Sequence, residues 1–381
     1  MALNLWETSF KKFGINHYLF ICIHKEAYTI LTRYGLNTYL DIQSQISREA
    51  NFFETGDYKK KTMLKIKYSK DIISLGYDVF VVDLDIIFLE NPLPYMVCDD
   101  CDIIAQADGP LSGSEMNTGF FLVKSSAVTV KLLGGILEAS SRVDLNEQIL
   151  INQLKDKMNV KLKRLPRDTF CLGCVYFKNR EFAGDGPQSN CVIVHNTNCA
   201  YGYEQKNYIF REMRLWMADT TDYYSSKTNK YLTYEHSKCL PENCDERQTL
   251  LLALQIAKLL NRILILPEFN CNRKACNYQS KFKDIRAFES NHSGFYREHI
   301  FLSHPKVPDQ VKRSKSPVIT IYLSRDDKQP RKEKTALTIV THSSIPIDKL
   351  PKLIAKSLND DFHVANYSVL QLGPLVVKKG T

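Results

Sequence analysis

The sequence predicts an α/β protein of two domains, and three observations predict it. Short apolar runs of strand length alternate with segments of helical period. A polar, aperiodic passage, Thr220 to Tyr231, separates a longer series of these alternations from a shorter one. The chain's 381 residues, 44% hydrophobic and 24% charged, suffice for two cores. The expected division is a first domain over residues 1–222 and a second, smaller α/β domain over 223–381.

Leu3, Trp6, Phe10 and Phe13 recur at helical spacing, so the chain opens in a helix. A strand at His17 to Ile23 and a helix at Glu26 to Tyr34 follow. Tyr58 to Leu75 reads as an amphipathic helix, with Leu64, Tyr68, Ile72 and Leu75 toward the core and Lys59, Lys60, Lys67 and Lys70 toward solvent. Gly76 stops it. Val79 to Val82 then reads as a buried strand that delivers Asp83 and Asp85 at its carboxyl end, where open α/β sheets bind ligands. Strand alternation would put both carboxylates on one face and Leu84 in the core.

The pair continues into another apolar run, Ile86 to Leu89, and strands are expected next at Asp102 to Ala107 and Gly119 to Val123, with helices at Ser126 to Ser140 and Leu145 to Lys157. Asp144 can cap the second helix, and Gly134-Gly135 in the first suits close packing. Strands at Val160 to Leu165 and Cys191 to Val194 and a helix from Tyr203 to Met217 complete the first series. The second has a helix at Arg247 to Leu260, strands at Ile263 to Leu266, Val318 to Leu323 and Ala336 to Thr341, and a helix near Ile347 to Ser357.

Composition narrows the function. The formal charge of +9 owes much to Lys306 to Lys334 and Lys378-Lys379, which read as solvated loops. No basic helix with interleaved aromatics occurs, so nucleic acid is not an expected partner. No apolar window reaches the roughly 20 residues of a bilayer span. Of the 11 cysteines, ten lie in close pairs (Cys98 and Cys101, Cys171 and Cys174, Cys191 and Cys199, Cys239 and Cys244, Cys271 and Cys276), a pattern of disulfides in an oxidising lumen. Cys22 reads as a buried thiol. Sequons at Asn291 and Asn366 point the same way.

Four elements carry chemistry. Asp83 and Asp85 fit a divalent-cation site, or a pair of aspartates capping a turn. His195 ends another apolar run and suits a mixed carboxylate and imidazole shell of the kind manganese accepts, or a bond to a backbone carbonyl. In the turn and helix beyond it, Gly202 and Lys206 could meet a phosphate, or Lys206 is a surface lysine. Asn117 precedes Gly119 at a strand start, and Glu147 and Gln148 begin a helix; these read as polar groups for a hydroxylated ligand or as turn and cap residues.

Taken together, GYDVFVVDLDIIFLENP, NTGFFLVKSS, the helix with NEQ and VHNTNCAYGYEQK, in this order, resemble the nucleotide-diphospho-sugar transferase domain of glycosyltransferase family 77, over about Phe13 to Trp216. The later stretches QTLLLALQIAKLLNRILILPEF and FYREHIFLSHPKVPD resemble the C-terminal region of plant arabinosyltransferase-like members. The resemblance implies a GT-A-like, Rossmann-type mixed sheet, here lacking its first strand, so that the nucleobase half of the donor pocket is expected to be incomplete.

It also implies Asp85 and His195 around Mn2+ or Mg2+ with Asp83 touching that metal or the ribose, Lys206 on the nucleotide diphosphate with Gly202 also among the donor-binding residues, and Asn117, Glu147 and Gln148 as catalytic groups near the donor sugar or acceptor. Related enzymes commonly have Asp-Gln where this chain has Glu147-Gln148, a change that keeps the charge and lengthens the reach. The implied activity is metal-dependent transfer of a sugar, with retention, from a UDP-sugar or similar donor to a glycan or glycoprotein hydroxyl. The implied place is the Golgi or another secretory lumen, with the membrane met only through an anchor that this sequence does not contain. A non-catalytic glycan-binding or scaffold relative is the alternative. A sugar-nucleotide nucleotidyltransferase would want a Gly-rich basic loop before Gly56, and none is there.

Overall fold

The structure, a computed structural model, describes residues 1–42, 56–108, 115–173, 176–177, 190–197, 203–236, 246–267, 294–324, 336–340, 349–362 and 364–375. It is of the α/β class expected and forms two compact units, one of Met1–Asn207 with Leu215–Ala218 and one of Tyr208–Arg214 with Asp219–Thr381.

The first unit opens in helix α1 (Ala2–Leu5), which continues as a π-helical turn, Trp6–Phe10. Strands β1 (Phe20–Cys22) and β2 (Thr38–Leu40) pair in parallel around α2 (Lys25–Arg33). Helix α3 (Gly56–Ile73) stops at Gly76, whose φ of 92° suits a residue without Cβ. Its core face differs from the expected one: Ile66 and Ile73 are buried, whereas Leu75 is 75% exposed. The helix ends before Leu75, so the period cannot carry that residue to the core.

Strand β3 (Val79–Val82) is half-buried, β4 (Ile86–Phe88) and β5 (Ile103–Ala107) are fully buried, and β6 runs Met116–Val123. Helices α4 (Ala127–Ser140) and α5 (Glu147–Lys157) precede β7 (Leu162–Leu165), β8 (Phe170–Leu172) and β9 (Ile193–His195). One mixed sheet has the order β3-β6-β5-β7, and a second has the order β4-β9-β8. Ile103, Ala105, Phe121 and Val123 of the first sheet pack with Ile66 and Ile73 of α3, Leu132, Leu133 and Ile136 of α4, and Leu150 and Ile151 of α5. Each Val, Leu, Ile or Phe side chain among them contributes about 1.5–3 kcal/mol when buried. Gly135 permits the α4–α5 approach, since a Cβ there would lie 3.2 Å from Met158 Cε.

One expected cap changes hands. Ser126 caps α4 in a box with Thr129, and Asn146, not Asp144, caps α5 by accepting from Ile149 N. Asp144 is 85% exposed and pairs with Lys59. Among the cysteines, Cys98 bonds Cys101 as the spacing suggested, but Cys171 bonds Cys191, not Cys174, and so ties β8 to the start of β9. Closing a loop of this length contributes about 3 kcal/mol. Cys22 is a buried free thiol. Cys174, Cys199, Cys239, Cys244, Cys271, Cys276 and Asn291 lie outside the described residues; Asn366 is exposed.

Helix α6 (Tyr203–Glu212) is shorter than the run to Met217, and Arg214 beyond it has φ 58°. The second unit holds β10 (Tyr231–His236), α7 (Glu246–Leu259), β11 (Ile263–Ile265), β12 (Tyr296–Arg297), α8 (Asp309–Arg313), β13 (Lys315–Ser324), β14 (Ala336–Val340), α9 (Leu350–Phe362) and β15 (Val369–Leu375). Its six strands form one sheet in the order β12-β11-β10-β15-β13-β14, all pairs parallel. Strands β10, β12 and β15 were not expected from the sequence. Asn261, with φ 52°, ends the turn after α7 just as the chain enters β11.

Candidate active site

Two strand ladders place the acidic pair. In the first, β3 runs antiparallel to β6 with Val82 opposite Phe120, and Asp83 N donates to Gly119 O at 2.7 Å. In the second, Ile86 of β4 lies opposite His195 of β9, and Asn196 N donates to Asp85 O at 2.9 Å. Asp83-Leu84-Asp85 is therefore the turn that passes from one sheet to the other, not a continuous strand. Leu84 is 45% exposed, against the expectation that it enters the core. The carboxylates converge because the turn folds them together.

Asp85 is buried; its Oδ1 lies 3.5 Å from His195 Nε2, and its Oδ2 forms a short ion pair with Lys206 Nζ. Burial alone would raise this carboxyl, but Lys206 and then His195 outweigh it and hold it well below the usual carboxylate range. Asp83, half-buried, takes Lys65 Nζ at 3.0 Å. Lys65 also donates to Thr118 O at 2.9 Å and lies 3.3 Å from Glu147 Oε1. For this ammonium, burial works downward, yet Asp83 and then Glu147 keep it above the ordinary lysine range.

Asp83, Asp85 and His195 offer one ligand atom each, all within 4.8 Å of one another. The surroundings fit a cation. Gly119 sits directly beneath: a Cβ there would lie 2.6 Å from Asp83 Oδ2, 2.5 Å from His195 Cε1 and 2.9 Å from Nε2. Glu147 Oε2, also buried, has no hydrogen-bond partner. Two carboxylates with one imidazole match manganese or magnesium chemistry better than a soft-metal site.

The other expected residues form a wall beside these. Asn117 and Glu147 are buried. Asn117 and Gln148 both donate to Asp108 Oδ2, at 3.0 and 2.9 Å, while Asn117 Oδ1 accepts from Gly119 N and Gln148 Oε1 accepts from Thr118 N. Thr118 Oγ1 donates to Glu147 Oε1 at 3.0 Å. Asn117, Thr118 and Gly119 are inside β6, not in a turn before it. Gly202 lies outside the described residues.

Sequence reading missed Lys65, Gln106 and Asp108. Gln106 carried a signal, being a carboxamide in an otherwise apolar strand. Asp108 had the same strand-end position as Asp83, and Lys65 precedes the buried Ile66 on α3.

Buried carboxylates, an imidazole and a lysine gathered at strand ends could hold a phosphate ligand through a cation. Residues 14–210, just over half of the chain, match the family model described as nucleotide-diphospho-sugar transferase, and the protein belongs to that family. It is similar to an arabinosyltransferase of Arabidopsis thaliana, at 24% identity over 66% of this chain and 49% of that one. It is also similar to a UDP-D-xylose:L-fucose alpha-1,3-D-xylosyltransferase of Arabidopsis thaliana, at 25% identity over 45% and 54%. The chain thus spans about half the length of these curated relatives.

Two solved structures show looser likeness. One is a glycosyltransferase involved in the glycosylation of the major capsid of PBCV-1, with 14% identity, 50% and 96% coverage and a TM-score of 0.33. The other is the apo-form glycosyltransferase GlyE of Streptococcus pneumoniae TIGR4, with 12% identity, 97% and 93% coverage and a TM-score of 0.33. At that score neither bears on the fold. No helix among the described residues is long and apolar enough to cross a membrane.

Proposed function

We propose that the protein is a metal-dependent glycosyltransferase that moves a sugar from a nucleotide-diphosphate donor, in the first instance a UDP-sugar, to a hydroxyl of a glycan or glycoprotein. The observation that carries this reading is the convergence of Asp83, Asp85 and His195 above Gly119 within a chain of the nucleotide-diphospho-sugar transferase family. The relatives named as arabinosyl- and xylosyltransferases support the substrate class.

Asp83, Asp85 and His195 would hold Mn2+ or Mg2+, which when bound acts as a Lewis acid on the leaving diphosphate. Lys206, now paired with Asp85, is long and flexible enough to meet the same diphosphate and would add positive charge where negative charge develops. The Asn117–Asp108–Gln148 network presents fixed donors and acceptors suited to orienting sugar hydroxyls. Glu147 keeps Lys65 and Thr118 in place. Retention of anomeric configuration belongs to this reading through the resemblance to family 77, and a front-face route, in which the leaving phosphate takes the acceptor proton, requires no enzymic nucleophile. The two disulfides among the described residues accord with a secretory lumen such as the Golgi.

The test is UDP release from UDP-arabinose, UDP-xylose and UDP-galactose with Mn2+, with and without saccharide acceptors. Turnover that stops on chelation supports the reading. Binding of UDP and Mn2+ without turnover on any donor would favour a non-catalytic relative.

A further inference from the structure

We propose that Gln106 is the positioning residue of the cation site: it fixes the tautomer of His195 so that the Nε2 lone pair faces the cation. The inference rests on the assignment of Asp83, Asp85 and His195 as ligands.

Gln106 is fully buried in the middle of β5, among Ile103, Ile104, Ala105 and Ala107. A carboxamide in such a strand is retained at a cost unless both of its ends are satisfied. Its Nε2 donates to Phe170 O at 3.0 Å, with Cys171 O at 3.5 Å, both on β8. Two carbonyls at one end fix which end is the amine. The opposite end, Oε1, therefore faces His195 Nδ1 at 2.8 Å. An amide oxygen only accepts, so Nδ1 carries a proton, and Nε2 is the ring nitrogen left to offer a lone pair to a cation.

That Nε2 lies 3.5 Å from Asp85 Oδ1. A cation between them would take the Nε2 lone pair and the carboxylate oxygen together. Partners of this kind commonly orient a ligating histidine from its far nitrogen. Here the partner is a neutral amide, held in turn by β8, and the Cys171–Cys191 disulfide ties β8 to the strand of His195. The three strands β5, β8 and β9 thus hold one ring from behind.

The experiment uses the whole chain with 15N-labelled histidine and reads the His195 ring by long-range 1H–15N correlation at pH 8 without metal, with His195→Asn for assignment. Mn2+ affinity is measured by electron paramagnetic resonance for wild type, Gln106→Met and Asp85→Ala. The expected wild-type ring is the Nδ1–H tautomer, and Gln106→Met should mix the tautomers and weaken Mn2+ binding by about 10–100-fold. A wild-type ring in the Nε2–H form overturns the inference, whether or not Gln106→Met folds. So does a folded Gln106→Met with unchanged tautomer and Mn2+ affinity, the outcome for a purely structural glutamine. Failure of the cation assignment shows differently: an Nδ1–H ring in a wild type that binds no Mn2+ would refute the cation and Gln106's role toward it, but not the hydrogen bond.

Discussion

Among the described residues, two buried polar clusters are built on opposite plans. In the second unit, Tyr223 donates to Glu298 Oε2 at 2.8 Å, and the guanidinium groups of Arg211 and Arg297 lie 4.1 and 3.9 Å from the centre of the Tyr223 ring. Tyr224 stacks on His304 at 3.6 Å beside Phe301. Glu298 is a single buried carboxylate enclosed by rings and cations. In the first unit, two carboxylates and an imidazole turn their acceptors toward one another over a residue with no side chain. Buried charge is common to both. Converging ligand atoms and a glycine beneath them set the proposed cation site apart from the polar core.

The comparison can be broken from either side. The largest effect is expected at Asp85→Ala, which should lower sugar transfer by about a thousandfold or more, the several kcal/mol that a Lewis acid contributes; transfer rates with Mn2+ at saturating donor check it. Gly119→Ala should come next. Its Cβ would press on Asp83 and His195, so overpacking of about 1–3 kcal/mol is expected in urea denaturation, together with weaker Mn2+ binding. In the second unit, Tyr223→Phe leaves Glu298 Oε2 without its phenol donor and should cost about 1–3 kcal/mol, while Mn2+ affinity stays within twofold of wild type. A change in Mn2+ affinity there would dissolve the distinction.

The smallest effect concerns pH. Burial and then the charge of Glu298 push the Tyr223 hydroxyl up from its ordinary value, and the same causes act on Tyr224. A phenol with a raised folded pKa contributes stability that is complete below the unfolded value of about 10 and is lost as pH rises through the folded one. Unfolding free energy should therefore fall above about pH 10. Tyr223→Phe should make that fall shallower, read from urea midpoints across the alkaline range.

What the sequence revealed of the site follows from the range of the interactions. Asp83, Asp85 and His195 could be read because each ends an apolar run, a local pattern. Their geometry could not: the turn at Leu84 exists because β3 and β4 belong to different sheets, and nothing in DLD shows it. Gln106 meets a histidine 89 residues away, and Lys65 sits beside the period that marks the core face of α3. In the second unit, β10 (YLTYEH) mixes polar with apolar residues and β15 contains Gly373 and Pro374, residues that argue against a strand. Parallel pairing on both sides makes them the centre of the sheet.

The central claim is that Asp83, Asp85 and His195 bind the donor's diphosphate through a cation. Titration of UDP by calorimetry, in Mn2+ and in chelator, tests it most directly, with Asp85→Ala alongside. UDP should bind in Mn2+, fail to bind in chelator, and bind the variant weakly or not at all. Equal affinity in chelator, or full Mn2+-dependent affinity in Asp85→Ala, would contradict it.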